Sequence, residues 1–211
     1  MKDYQPQVDA SWYEKTSFHP LRITSITEQL RLLSHYDPGS VLEIGVGKGI
    51  IREFLKSFSH IKHTSIDIAP DLNPNFVGSV LKMPFSDSQF DCILCCQVLE
   101  HLRIEDFPAA LREIRRVTRS LVILSLPDRR RIFALGLCLF GFGWRKMEFN
   151  LESRKARKEG LIPEHYWEIG HSRATCGTNV ARIIRAAGFK IEAQYRLEKF
   201  SWHCFFVLKR I

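Results

Sequence analysis

An alternation of apolar strand segments and helical segments is the feature that most restricts how this chain can fold. Four apolar segments precede residue 130: VLEIG (41–45), HTSID (63–67), FDCILCC (90–96) and SLVILSL (120–126). Helical patterns near 49–58 and 105–118 lie among them. Because parallel strands need a crossover, usually a helix, this order predicts an α/β fold with a doubly wound, mostly parallel sheet and helices on both faces.

The rest of the chain divides into three further parts around this core of residues 37–128. Residues 1–36 hold a polar segment with Trp12 and Tyr13, predicted to be a lid, and an amphipathic helix. Residues 129–173 break the alternation and are predicted to be an inserted substrate cap. Residues 174–211 contain a helix and two strand segments joined by a short loop, which predicts an antiparallel pair that completes the sheet.

An apolar run of 13 residues, at positions 132–144, lies in the predicted cap. It is shorter than the roughly 20 residues needed to cross a bilayer. Two interpretations stay open: a buried cap helix, or a segment that makes a peripheral membrane contact. The polar N-terminus and the small number of cysteines favour a cytoplasmic protein.

The net charge of +8 indicates an anionic partner, which includes nucleic acid among the candidates. Arginines recur every three or four residues along one predicted helix, as expected for a solvated helix face: Arg112, Arg115, Arg116 and Arg119. Cys92 and Cys95 lie three residues apart on one strand, so their side chains point to opposite faces and cannot share a metal ion. We interpret them as buried apolar residues.

The segment Glu43–Gly49 reads EIGVGKG and links a strand to a helix. Its glycines allow a tight turn and a close approach of the backbone to a ligand. A dinucleotide-binding fingerprint would need Gly or Ala where Ile50 stands, and a phosphate-binding loop would need Ser or Thr at Gly49. The loop therefore fits neither pattern.

Asp67 ends the second strand, where an acidic side chain can accept both hydroxyls of a ribose at the carboxyl edge of the sheet. Since no phosphate-binding loop accompanies it, the pattern indicates an unphosphorylated nucleoside. A capping or solvated acid is the alternative for this residue taken alone.

Four segments together resemble the class I S-adenosylmethionine-dependent methyltransferases, especially their small-molecule branch. They are VLEIGVGKG (41–49), SID (65–67), VGSVLKMPFSDSQFDCILCCQVLEHL (77–102) and LVILSLPD (121–128). The resemblance implies seven strands in the order 3-2-1-4-5-7-6, with strand 7 antiparallel. It also implies S-adenosylmethionine as cofactor and S-adenosylhomocysteine as product.

The resemblance further implies cofactor contacts at matching positions. Gly45, Gly47 and Gly49 would lie under the methionine and ribose, with Glu43 near the methionine amino group. Asp67 would bind the ribose, and Ile68, Ser79, Val80 and Leu81 would surround the adenine. Cys96 and Gln97 would lie beside the methionine. Ser79 stands where many members have aspartate, so the contact to the adenine amino group would pass to a hydroxyl or a backbone carbonyl.

The acceptor side is predicted from titratable and aromatic residues. His101, directly after the fourth strand, can act as a general base, with His171 and His165 as further candidates. Tyr166 and Trp167 are predicted to line the substrate pocket. His165, Glu168 and His171 have a spacing compatible with a metal ion, but no further ligands accompany them, and no metal site is predicted.

The sequence therefore predicts transfer of a methyl group to a small, partly apolar acceptor. An RNA methyltransferase that uses the basic surface, and a cofactor-binding interaction protein without catalysis, are the alternatives. A catalytic base matters most when the acceptor is a hydroxyl.

Overall fold

The computed structural model describes residues 4–7, 19–130, 133–139, 143–149, 161–197 and 202–211, with the backbone alone for the two segments within 133–149. The four α-helices among these residues are α1 (Pro20–Tyr36), α2 (Ile50–Leu55), α3 (Phe107–Val117) and α4 (Gly177–Ala186). The strands are β1 (Ser40–Ile44), β2 (Lys62–Asp67), β3 (Phe76–Val77), β4 (Phe90–Cys96), β5 (Thr118–Pro127), β6 (Phe133–Leu139), β7 (Gly143–Phe149), β8 (Phe189–Arg196) and β9 (His203–Arg210).

Seven strands form one sheet in the order β3-β2-β1-β4-β5-β9-β8. The strands from β3 to β5 pair in parallel, whereas β9 is antiparallel to both β5 and β8. Numbered without the separate β6–β7 pair, this is the order 3-2-1-4-5-7-6 with strand 7 antiparallel. The predicted fold class and topology are confirmed.

Apolar clusters cover both faces of the sheet, as expected for a doubly wound fold. Strand β4 shows the alternation that produces them: Cys92 and Leu94 belong to one cluster, and Ile93 and Cys95 to the other. Cys92 and Cys95 are both fully buried, so the interpretation of them as apolar core residues is confirmed.

Helix α3 packs on one face because its apolar residues recur at helical spacing. They are Phe107, Ala110, Leu111, Ile114 and Val117, and all are fully buried. Of the four arginines predicted on one helix face, Arg119 instead lies in β5, after the end of α3, and pairs with Asp91. On α3, Arg116 pairs with Glu113 and Asp87. Arg115 donates to the backbone carbonyls of Gly188 and Ile211, while Arg112 is exposed.

The apolar run at 132–144 is not a cap helix. Strands β6 and β7 pair antiparallel, from Phe133 opposite Phe149 to Leu139 opposite Gly143. Glycines within a helix cost about 1 kcal/mol each, and three occur in this run. The predicted membrane contact concerns side chains that lie outside the described residues. Among the helices that the structure describes, none is both long and apolar enough to span a bilayer.

Residues 161–176, which we call the return segment, lead back to the edge of the sheet. The Ile169 N–H donates to the Pro127 carbonyl at 2.9 Å, and the Arg129 N–H donates to the Ile169 carbonyl at 3.0 Å. Ile169 is fully buried in the larger core cluster. This part of the predicted cap is therefore built into the core beside the end of β5.

Candidate active site at the carboxyl edge of the sheet

The glycine loop after β1, residues 45–49, has backbone dihedral angles that residues other than glycine rarely adopt. Gly45, Gly47 and Gly49 have φ angles of 81°, 49° and 69°, in the left-handed region. Gly45 is the most restricted, because a Cβ atom there would lie only 2.4 Å from Val98 Cγ2. Glycine is needed at this position both for the dihedral angle and for the close approach of the segment after β4.

Asp67 lies beside this loop, because β1 and β2 are neighbouring parallel strands. Its Oδ2 accepts the N–H of Val46 at 2.8 Å, and its Oδ1 accepts the N–H of Ala69 at 2.9 Å. Burial raises the pKa of Asp67, against the lowering effect of these backbone hydrogen bonds. A carboxylate offers about four acceptor positions, so each oxygen keeps capacity for a ligand hydroxyl.

A small cavity of about 100 Å³ opens at Asp67. Ile68, Ser79 and Val80 line it, and residues 4–7 cover it from the N-terminal side. Leu81, predicted beside them, instead packs against the hydrophobic core. The Ser79 hydroxyl accepts the Leu81 N–H at 3.2 Å, so it is partly engaged within its own turn.

Residues 4–7 are held over this cavity by polar contacts. The Tyr4 hydroxyl bonds to the Asp106 carboxylate and accepts the Arg103 N–H at 3.1 Å. Gln7 Oε1 lies 2.7 Å from His101 Nδ1. Residues 4–7 belong to the predicted N-terminal lid, which stays a prediction, and Trp12 and Tyr13 lie outside the described residues.

A larger cavity of about 830 Å³ meets the small one at Gly45, Gln97, Val98 and His101. Glu43, Gly47 and Cys96 also line this cavity. Glu43 is 5% exposed, and its Oε2 lies 2.9 Å from His63 Nε2. Burial raises the pKa of Glu43 and raises that of the Cys96 thiol to about 12, so Cys96 stays protonated near neutral pH and is a poor nucleophile.

Three titratable residues that line the larger cavity lie close together: Glu100, His101 and His165. One ligand atom of each lies within 4.8 Å of those of the other two. The Tyr166 N–H donates to the Glu100 carbonyl at 2.9 Å, which brings the return segment to the turn after β4. Two of the three predicted base candidates, His101 and His165, thus come together.

Burial has the largest effect on the pKa values of Glu100 and His101. It raises the pKa of Glu100 to about 7, and burial together with His165 lowers the pKa of His101 to about 4. His101 is therefore neutral near neutral pH. Its Nδ1 lies 2.9 Å from the Glu164 carbonyl oxygen, which leaves Nε2 as the nitrogen that can accept a proton.

Part of the chain is similar to a known protein family. A methyltransferase domain model matches residues 42–126, which include the glycine loop, Asp67 and the turn with His101. Residues 42–126 of the chain are thus similar to the methyltransferase domain family. The N-terminal segment, the hairpin and the return segment lie outside the matched region.

Two relatives accompany the family match. Over 87 residues the chain is 34% identical to an uncharacterized protein of Methanocaldococcus jannaschii, covering 38% of this chain and 36% of that protein. Over 166 residues it is 24% identical to the ubiquinone biosynthesis O-methyltransferase of Rickettsia bellii, covering 65% of this chain and 67% of that enzyme. The chain spans about a third of the first relative and about two thirds of the second.

A solved structure shows the same fold. It is the 1,6-didemethyltoxoflavin-N1-methyltransferase of Burkholderia thailandensis, with 1,6-didemethyltoxoflavin and S-adenosylhomocysteine bound. The TM-score is 0.56 at 15% identity, over 95% of this chain and 80% of that one.

Three predicted acceptor-side residues lie away from the two cavities. Trp167 is 2% exposed and packs against Phe107 in the core, because the return segment completes that core. Tyr166 is about half exposed and contacts the ring of Tyr4 on the outer surface. His171 is exposed within the return segment. The prediction that Tyr166 and Trp167 line the substrate pocket is therefore corrected, as is the prediction of His171 as a base at this site.

Several residues at the site were not predicted from the sequence. Glu100 was passed over although it directly precedes His101 in a turn after β4. His63 reaches Glu43 across the β1–β2 pair, which requires the strand register. His203 lines the larger cavity from the start of β9, beside the Ser25 hydroxyl, and burial lowers its pKa to about 3.

Proposed function

We propose that the protein is an S-adenosylmethionine-dependent methyltransferase acting on a small, partly apolar acceptor. One observation carries the proposal: two cavities meet at the glycine loop and at Gln97 and Val98. One contains the carboxylate of Asp67, and the other contains a separate set of titratable groups. Cofactor and acceptor could thus approach each other from the two sides of one opening.

The residues of the cofactor side fit the proposed ligand. Asp67 is fixed by two backbone N–H groups and keeps acceptor capacity for ribose hydroxyls. The left-handed glycines leave three positions of the loop beside Asp67 without a side chain. Glu43 presents a buried carboxylate on the methionine side. When bound, S-adenosylmethionine supplies a methyl group on a positively charged sulfonium, which is a good leaving group.

The larger cavity suits a small molecule better than a polymer. Its volume of about 830 Å³ falls within the range of roughly 300–1,000 Å³ common for small-molecule sites. Apolar side chains of Ile26, Ile50 and Ile162 line it together with polar groups from α1 and β9. Such a mixed wall would bind an acceptor with an apolar body and a polar end.

The main task of the chain is then to hold two reactants in line and to exclude water. Fixing two reactants in a reactive geometry can lower a barrier by roughly 7–11 kcal/mol. A proton acceptor is needed as well if the acceptor is a hydroxyl. Neutral His101 is the candidate base that the geometry favours, since it lies where the two cavities meet.

Calorimetry with S-adenosylhomocysteine tests the cofactor site. We expect micromolar-class binding by the natural chain, weakened on the order of 100-fold in Asp67→Ala, because the ribose loses its carboxylate partner. Glu105→Ala, at an exposed position away from both cavities, is the matched control and should bind as the natural chain does. Equal binding by Asp67→Ala and the control would remove the site assignment.

A labelled-methyl screen identifies the acceptor class. Cell extract would be incubated with the protein and labelled cofactor, then separated into small-molecule, lipid, RNA and protein fractions. We expect label in the small-molecule or lipid fraction. Label in RNA would support the alternative function, which the structure favours less, since Arg115, Arg116 and Arg119 are engaged within the chain. Absence of transfer to any fraction would support a protein without catalysis.

A further inference from the structure

Glu100 is a buried acid without a partner. Its side chain is fully buried, and neither carboxylate oxygen meets a hydrogen-bond partner from another of the described residues. Such a group costs folding free energy unless something pairs with it. It lines the larger cavity, so a partner could reach it from the cavity.

Two histidines point to the nature of that partner. The rings of His101 and His165 lie edge to face with centroids 5.1 Å apart, close to Glu100. Each ring has its Nδ1 engaged: His101 with the Glu164 carbonyl at 2.9 Å, and His165 with Glu168 Oε1 at 3.0 Å. Metal-binding histidines commonly donate one ring N–H to a carboxylate or carbonyl and bind the ion with the other nitrogen.

We propose that Glu100, His101 and His165 bind a divalent transition-metal cation such as Zn²⁺ or Mn²⁺ in the acceptor cavity. Two imidazole nitrogens and one carboxylate form the ligand set of many catalytic metal sites, which leave positions open for water or substrate. Ligand atoms 2.0–2.2 Å from one ion at tetrahedral angles lie roughly 3.4 Å apart. The ligand atoms of the three residues lie within 4.8 Å of one another, so binding would draw the side chains closer together.

This ligand set differs from the spacing considered in the sequence. His165 is shared, but Glu168 supports its ring instead of binding the ion, and it also lies 3.6 Å from Arg129. His171 is exposed and takes no part. Mg²⁺, which prefers an all-oxygen environment, fits this site less well than Zn²⁺ or Mn²⁺.

The role of the cation rests on the proposed function. A bound cation lowers the pKa of a hydroxyl that coordinates it. The acceptor hydroxyl would release its proton to water, and its oxygen lone pair would form the new C–O bond as the methyl–sulfur bond breaks. The electron pair of that bond stays on sulfur, which becomes a neutral thioether. The attacking atom is then an oxygen, and His101 is a ligand of the cation in place of a base.

Metal binding can be measured without the reaction. The full chain, without an affinity tag and stripped with a chelator, would be titrated with ZnCl₂ in a calorimeter, with MnCl₂ and MgCl₂ as parallel arms. We expect about one equivalent of zinc, and binding weakened on the order of 100-fold or more in Glu100→Gln and His165→Ala. His60→Ala removes an exposed histidine that pairs with Asp37 and should bind zinc as the natural chain does.

The outcomes separate this inference from the proposed function. Zinc binding that is absent, or equally strong in all four proteins, would overturn the metal site. Each protein would also be titrated with S-adenosylhomocysteine, which we expect Glu100→Gln to bind normally, since Glu100 does not line the small cavity. If the natural chain itself does not bind S-adenosylhomocysteine, the proposed cofactor is overturned and the metal site is not affected. Thermal unfolding of each variant would verify that it is folded.

Discussion

Asp67 accepts a hydrogen bond from the backbone N–H of Val46 at 2.8 Å, and this bond ties the end of β2 to the glycine loop after β1. The second carboxylate oxygen accepts the N–H of Ala69, which fixes the plane of the group. The side chain proposed to bind the ribose therefore also shapes the loop beside it. Substitutions at Asp67 should change stability as well as binding.

We expect Asp67→Asn to lower the free energy of unfolding by about 1–2 kcal/mol. An amide has one acceptor oxygen and an NH₂ group, so it cannot accept the N–H groups of Val46 and Ala69 in the same geometry. Urea unfolding without ligand measures the change, with the exposed Glu105→Gln as control. Equal midpoints for the two variants would show that the two backbone bonds contribute nothing measurable.

Gly45→Ala should be strongly destabilising, by roughly 2 kcal/mol or more. The left-handed backbone at Gly45 costs an alanine about 1–2 kcal/mol, and its Cβ would also collide with Val98. Val98→Ala removes the colliding atom. We therefore expect the double variant Gly45→Ala, Val98→Ala to be more stable than the sum of the single changes predicts. Additive losses in urea unfolding would contradict the contact.

Strand order and the cofactor edge could be predicted because both depend on local pattern. Apolar strands that alternate with helices specify a parallel sheet, and the carboxyl ends of neighbouring strands then bring Gly45 and Asp67 together. The glycines of the loop are required by their own dihedral angles. The strand pattern and the glycine loop can each be identified from a few consecutive residues of the sequence.

The acceptor side could not be predicted in the same way. His165 reaches Glu100 only because Tyr166 and Ile169 form backbone bonds to segments far away in the chain. Those bonds also turn Trp167 into the core, where it packs against Phe107. The hairpin was missed because a short apolar run with glycines has no clear period. Long-range contacts decided each of these features.

Glu113 should contribute stability that depends on pH. Hydrogen bonds from Arg116 hold the pKa of Glu113 below its ordinary value of 4.5. The stabilisation of the folded state by ionised Glu113 is therefore fully present above about pH 4.5. It is lost as the pH falls through the lowered pKa of Glu113 in the folded state. We expect Glu113→Gln to cost about 1.5 kcal/mol at neutral pH and progressively less in acid. A pH-independent cost in denaturant titrations would contradict this origin.

Removing residues 1–7 should speed the release of S-adenosylhomocysteine. Residues 4–7 line the small cavity, and Tyr4 and Gln7 bond to Asp106 and His101. We expect dissociation about 10-fold faster, equivalent to about 1.4 kcal/mol of lost interaction. Stopped-flow displacement measures the rate, and Tyr4→Phe should give a smaller change of the same sign. An unchanged rate in the truncated protein would exclude a lid at this position.

Glu100→Gln should leave the metal-free protein at least as stable as the natural chain. The buried carboxylate of Glu100 has no hydrogen-bond partner among the residues that the structure describes, whereas a neutral amide of the same shape costs less to bury. Glu113→Gln is the matched control, because the same change there removes a paired carboxylate and should destabilise. With zinc at about 100 times its dissociation constant, the natural chain should gain about 2.7 kcal/mol and Glu100→Gln much less. Unfolding in chelator and in zinc measures both effects. A Glu100→Gln variant that is less stable in chelator yet gains the same stability from zinc would show that Glu100 has a structural partner and does not bind the ion.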